Sequence, residues 1–194
     1  MTSYLGRLNY DYAGKYYVSG SFRRDGSSRL SRDSRWGNFW SVSGSWRLSQ
    51  EAFMESLSNV ITDAKIRASY GVNGTQPKDY YGYMGVYEFG YNYNGNGGSS
   101  EARFYNPSLK WEKNYATNIG IDLTLFNRLT VSAEWYNRET KDLLMDKPIS
   151  AAVGVINSSG VANMLVNVGS MRNRGFELEL KSTNIQNKDL LWTT

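Results

Sequence analysis

The stretch GYMGVYEFGYNYNGNGG, residues 82–98, interleaves Tyr83, Tyr87, Tyr91 and Tyr93 with glycines and asparagines. Aromatic faces stack on sugar rings and on peptide side chains, while Asn amides donate to and accept from hydroxyls. These four tyrosines are the candidate substrate-binding residues; the plainer alternative is a loop that packs on itself or on a neighbour. Glu177 and Glu179 imitate an acid/base couple, but i, i+2 neighbours of one strand on a wet face read more simply as solvated charges. The stretch RRDGSSRLSRDSRWG, residues 23–37, mixes charges densely. It reads as a solvated hairpin tip, with a lipopolysaccharide or lid contact as the alternative.

Other chemistry is excluded by residue type. The 194 residues contain no His and no Cys, which removes Ser-His triads, thiol nucleophiles, the common zinc sites and any disulfide frame. No phosphate-cradling glycine motif is present. A carboxylate glycosidase would need two acidic side chains about 5–10 Å apart in a cleft. The expectation is a protein that is not an enzyme, with no catalytic residue, no metal and no cofactor. A net charge of +4, with its basic residues in no run, speaks against nucleic acid. No stretch of about 18 apolar residues offers a transmembrane helix. Met1, Thr2, Ser3 and Tyr4 open no signal segment, so the chain is cytosolic or part of a longer exported protein.

The elements that must carry these residues alternate with period two, the signature of strands with one apolar and one polar face. Trp40, Val42, Gly44, Trp46 and Leu48 oppose Ser41, Ser43, Ser45 and Arg47. Similar patterns run over residues 7–12, 16–23, 64–72, 118–125, 129–136 and 176–181, each strand near ten residues. An eighth begins around Asp189. Pro77, Pro107 and Pro148 fall between strands, where no ladder bond is lost. Short turns near 13–15, 126–128 and 182–188 alternate with long loops over 27–37, 75–114 and 140–171. Parity requires three residues rather than two in the turn at Asn127. Residues 49–62 read as a short helix with Ser49 as N-cap and Phe53 and Leu57 on one face. The fold class is thus all-β, an antiparallel up-and-down meander of about seven to eight long strands.

Two environments suit such a meander. In a soluble sandwich, for instance a carbohydrate-binding module, two apolar sheet faces cover each other. In a membrane barrel the apolar face meets lipid and the polar face a wet lumen. Strand length matches the 9–11 tilted residues that cross a bilayer and exceeds the usual 5–6. Tyr12, Tyr16, Trp40, Trp46 and Trp135 sit near strand ends on the apolar face, as in an aromatic girdle. Arg23, Asp122, Glu134, Glu177 and Glu179 put charge mid-strand on the other face. These features favour the barrel.

Six blocks carry a family resemblance: SFRRDGSSRL (21–30), RWGNFWSVSGSWRLSQEAFM (35–54), KIRASYGVNG (65–74), NPSLKWEKNYATNIGIDLTLF (106–126), EWYNRETKDLL (134–144) and NVGSMRNRGFELEL (167–180). In their order and spread over nearly the whole chain they resemble the SusC/RagA family of TonB-linked outer-membrane transporters. Only the loop around 82–100 matches nothing in that pattern, as expected where substrates differ. The resemblance implies that residues 1–194 are a segment of one large transmembrane β-barrel in the Gram-negative outer membrane. The plug and remaining strands would lie outside this sequence. It further implies import of an oligosaccharide or peptide, a SusD-like surface lipoprotein, and TonB acting through the N-terminal region. A free-standing eight-stranded barrel is the alternative architecture. If the loop from Ser27 to Gly37 closes a symmetric hairpin, Phe22 lies opposite Val42, Val18 opposite Trp46, and Gly20 opposite Gly44. The rings of Phe22 and Trp46 would then fold over the two glycines.

Overall fold

The computed structural model describes residues 1–153, 163–186, 188 and 190–194. Its strands are β1 (Thr2–Tyr12), β2 (Tyr16–Gly26), β3 (Trp36–Arg47), β4 (Ile61–Thr75), β5 (Val86–Tyr93), β6 (Asn96–Arg103), β7 (Glu112–Leu125), β8 (Leu129–Lys141), β9 (Leu144–Pro148), β10 (Asn163–Asn167), β11 (Ser170–Gln186) and β12 (Leu191–Thr193). Eight of them form one antiparallel meander in the order β1-β2-β3-β4-β7-β8-β11-β12. The expected fold class holds. β1 and β12 are the two edges of this sheet, so it is an open wall and not a closed eight-stranded barrel.

Burial in the wall is inverted relative to a soluble sheet. Along β4 the polar residues Lys65, Arg67 and Ser69 are half-buried, while Ile66, Ala68 and Tyr70 between them are exposed. Val42 is 46% exposed and Phe176 85%. Ser19 and Ser43 meet Oγ to Oγ at 2.7 Å, as do Ser21 and Ser41, so polar side chains of neighbouring strands satisfy each other across one face. The opposite face presents exposed aromatic and aliphatic side chains, among them Val18, Phe22, Trp40, Val42, Ile66 and Tyr70, although Ala64 and Val72 on the same side are buried.

The turns at one end obey the parity rule. Residues 13–15 and 126–128 each close a three-residue loop, between the pairs Tyr12–Tyr16 and Leu125–Leu129. Each begins with two residues of positive φ, Ala13 and Gly14 in one, Phe126 and Asn127 in the other.

Several expectations need correction. The β2–β3 register is shifted by two: Phe22 pairs with Trp40, Gly20 with Val42, Val18 with Gly44 and Tyr16 with Trp46. Faces are kept, but Gly20 and Gly44 do not meet. The cause is that Trp36 and Gly37 join β3, with Trp36 opposite Gly26 and its ring stacked on Tyr4 at 6.2 Å. The ring that folds over a glycine is therefore Trp36 over Gly26, where an added Cβ would lie 2.8 Å from it. Residues 48–60 form two 3-10 turns, Leu48–Gln50 and Ala52–Leu57, rather than one helix. Ser49 is no N-cap; its Oγ donates to Asp63 Oδ1 at 2.7 Å. β11 continues through Gln186, into the expected turn at 182–188. Pro148 ends β9 rather than lying between strands.

Among the described residues the long loops 75–114 and 140–171 contain strands of their own. β5, β6, β10 and β9 make a second sheet in that order, with β6 and β10 parallel. Nor is 27–35 a solvated tip. Leu30 and Asp25 are fully buried, and Leu30 packs with Phe39, Leu109 and Trp111 in the small core at this end of the wall. The segment is tied inward by Ser27 Oγ to Gln76 Oε1 (2.7 Å), Arg29 Nη1 to the Pro77 carbonyl (2.8 Å) and Ser31 Oγ to the Pro107 carbonyl (2.8 Å). Polar side chains here replace the solvent that a free tip would need.

Candidate functional site

Two glycines make room for the small core at this end of the wall. Phe39 lies edge-on to Trp111 with centroids 5.3 Å apart, and Arg23 stands over its ring at 5.7 Å. A Cβ on Gly37 would be 2.4 Å from the Phe39 ring and one on Gly74 2.1 Å. Only residues without a side chain admit the ring. Trp111 Nε1 donates to the Arg35 carbonyl at 3.0 Å and joins two loops. Asn106 is nearly buried: its Nδ2 donates to the Leu165 carbonyl at 2.8 Å, and its Oδ1 accepts from Ser108 Oγ at 2.6 Å. Asn167 Nδ2 reaches the carbonyls of Lys110 (2.9 Å) and Asp142 (3.0 Å). These bonds tie β10 to the segments that lead into β7 and out of β8.

The four candidate tyrosines stand in different surroundings. Tyr83 packs against the core of Leu30, Phe39, Leu109 and Trp111. Tyr87 is 65% exposed and shares its face of β5 with Phe89, which is 81% exposed. At Gly90 (φ +104°) the register slips by one, a β-bulge that swaps the faces of the residues after it. Tyr91 accordingly turns to Glu88 and donates its OH to Oε2 at 3.2 Å. Burial, then that carboxylate, raises the Tyr91 hydroxyl above the ordinary phenol range. The side chain of Tyr93 lies outside the described residues. Phe89 was missed, although its i+2 spacing from Tyr87 places it on the same face. Tyr80 and Tyr105 are also exposed near the loop sheet.

The polar face of the wall carries a charge network. Arg67 Nε lies 3.1 Å from Asp122 Oδ2, and its Nη1 pairs with Glu134. Gly120 stands between Arg67 and Glu134 in one cross-strand row, and Glu177 continues that row opposite Glu134. A Cβ at Gly120 would lie 2.9 Å from Arg67 Cζ, so the missing side chain lets the guanidinium span two strands. Glu177 and Glu179 are both exposed, opposite Glu134 and Ser132 respectively. Among the described residues no group of His, Cys, Asp or Glu has metal-site geometry.

Residues 2–194 match the family model described as TonB dependent receptor-like, beta-barrel. The chain is 38% identical over 195 residues to TonB-dependent receptor P39 of Formosa agariphila, a match covering all of this chain and 18% of that protein. It is 34% identical over 203 residues to TonB-dependent receptor SusC of Bacteroides thetaiotaomicron, covering 99% of this chain and 19% of the relative. In a solved structure of the RagAB peptide importer, in its closed-closed state, one chain superposes with a TM-score of 0.83 at 33% identity. The match covers 96% of this chain and 20% of that one. The chain thus spans about a fifth of the length of the relatives it matches. An open meander with an exposed apolar face, and a family model matched from residue 2 to residue 194, lead to one conclusion: the chain belongs to the TonB-dependent receptor β-barrel family, in its SusC/RagA branch.

Proposed function

We propose that residues 1–194 are wall strands and external loops of an outer-membrane importer that takes up an oligosaccharide or a peptide. The observation that carries this reading is the alternation along β2, β3 and β4, where apolar side chains such as Val18, Val42 and Ile66 are exposed and the polar Ser19, Ser43 and Arg67 between them half-buried, which suits lipid on one face and water on the other. The plug and the remaining strands belong to the longer protein. A SusD-like lipoprotein at the external loops and TonB at the N-terminal region are its proposed partners, and the outer membrane its location. SusC is named a TonB-dependent receptor and RagAB a peptide importer; the same kind of cargo is proposed here. Within the chain, Tyr87, with Phe89 beside it, is the proposed stacking surface. Tyr83 supports it from below, and Tyr91 and Tyr93 come next on the same hairpin.

Uptake of labelled oligosaccharides and peptides by cells displaying the full-length protein tests this reading. Import of one class that stops when the inner-membrane proton gradient is collapsed supports it. Uptake that is indifferent to the gradient contradicts it.

A further inference from the structure

The connection between β3 and β4, residues 48–60, lies at the end of the wall where the other complete turns need only three residues. Two carboxylates decide its path. On the polar face, Asp63 Oδ1 accepts from Arg47 Nε (2.8 Å) and Ser49 Oγ (2.7 Å) and holds the start of the segment at the rim. On the apolar face, Glu51 accepts from Tyr16 OH (2.7 Å) and Trp46 Nε1 (3.1 Å) and pairs with Lys15 Nζ at 3.2 Å. Tyr16 and Trp46 are cross-strand partners stacked at 6.1 Å on the outward side. Glu51 therefore draws the chain over the outside of the wall and away from the lumen.

The turn Ala52–Leu57 then sets Phe53 edge-on to Trp46, with centroids 6.4 Å apart at 71°. Phe53, Leu57 and Val60 remain 62%, 46% and 41% exposed. Phe53 extends a row of rings that runs through Trp46 and Tyr16 to Tyr12, the last two 6.4 Å apart, and Leu57 and Val60 follow it in the same short segment. An apolar patch continuous with an aromatic girdle needs cover, and at that level the adjoining phase is the boundary between headgroups and acyl chains.

We propose that residues 51–60 form an interfacial foot, with Phe53, Leu57 and Val60 seated in the headgroup–acyl boundary of the leaflet on the short-turn side. The occupant is a phospholipid surface. The foot rests on the reading that the outward face of the wall meets lipid. It adds an anchor that fixes how deeply this sector of the wall sits.

The test uses the full-length protein in phosphatidylcholine vesicles, with one bimane-labelled cysteine at a time: Leu57→Cys, Phe53→Cys, Ser58→Cys or Val42→Cys. This chain has no Cys of its own, and any elsewhere in the protein is replaced by Ser. Nitroxide lipids carrying the spin near the headgroup or deep in the acyl chain report depth, and iodide reports water. Labels at 57 and 53 should lose more fluorescence to the shallow nitroxide than to the deep one and be poorly reached by iodide. Ser58→Cys should respond to iodide, and Val42→Cys to the deep nitroxide. Lipid quenching at 42, with 53 and 57 answering only to iodide or to no quencher, overturns the foot and leaves the wall intact. Absence of lipid quenching at 42 as well overturns the membrane reading and the foot with it.

Discussion

Gly74→Ala should destabilise the full-length barrel although the residue lies in a strand, where alanine is ordinarily the better choice. The added methyl would lie 2.1 Å from Phe39 Cζ and 2.2 Å from Cε1, against a carbon contact distance of about 3.5–4.0 Å. The ring cannot swing away, because Phe39 is fully enclosed and held by Trp111, Leu30 and Leu109. Overpacking of this kind costs about 1–3 kcal/mol, against a gain of about 0.4–1 kcal/mol from a stiffer unfolded chain. The net loss should be about 1–2 kcal/mol. Phe39→Ala alone should cost about 3–5 kcal/mol. In that background Gly74→Ala loses its clash and becomes neutral or stabilising, a coupling of about 1–3 kcal/mol. Gly20→Ala is the control, since nothing lies within 4 Å of its added Cβ. Urea unfolding in lipid vesicles reads all four variants. If Gly74→Ala is as harmless as Gly20→Ala, or adds simply to Phe39→Ala, the packing argument is wrong.

Tyr87→Ala with Phe89→Ala should weaken uptake and leave assembly intact, each lost stacking contact being worth about 0.5–1.5 kcal/mol, whereas Tyr83→Ala should lower stability; equal effects on uptake from both would dissolve the distinction. Gly120→Leu should displace Arg67 from Glu134 and lower the urea midpoint more than Glu134→Gln does; a neutral Gly120→Leu would show that the guanidinium has another route. The hydrogen bonds from Tyr16 and Trp46 hold the Glu51 carboxyl below the ordinary carboxylate range, with burial opposing them. Its depressed value means its contribution is complete at neutral pH and is lost as pH falls below that range. A bimane at position 53, quenched by Trp46, should therefore brighten only in acid, and in Glu51→Gln be bright at neutral pH.

The wall was legible in sequence because period two recurs strand by strand between Arg7 and Lys181, and parity required the three residues that the turn at 126–128 holds. The hairpin register was not legible. It depends on how many residues of 27–37 stay out of the ladder, which Trp36 decides by stacking on Tyr4, a residue one strand beyond its own hairpin. The loop sheet escaped for a related reason. β5 and β6 are interrupted by a bulge at Gly90, and β9 with β10 are short strands whose partners lie far along the chain. That bulge also parted Tyr91 from Tyr87 and Phe89, so four tyrosines that look equivalent in sequence hold three described environments. Charge in residues 23–37 misled because Asp25 and Ser27 are buried by tertiary contacts no local pattern announces.

The claim that the apolar face of the wall meets lipid and the polar face meets water is tested most directly by placing the same charge on adjacent residues of β3. Val42 is half-exposed on the apolar side, and Ser43 on the other side shares a hydrogen bond with Ser19. In the full-length protein folded into lipid vesicles, Val42→Arg should cost about 2–4 kcal/mol near the bilayer midplane. Ser43→Arg should cost only the lost hydrogen bond, about 1 kcal/mol. Equal costs, or a greater cost at Ser43, would contradict the orientation of the wall.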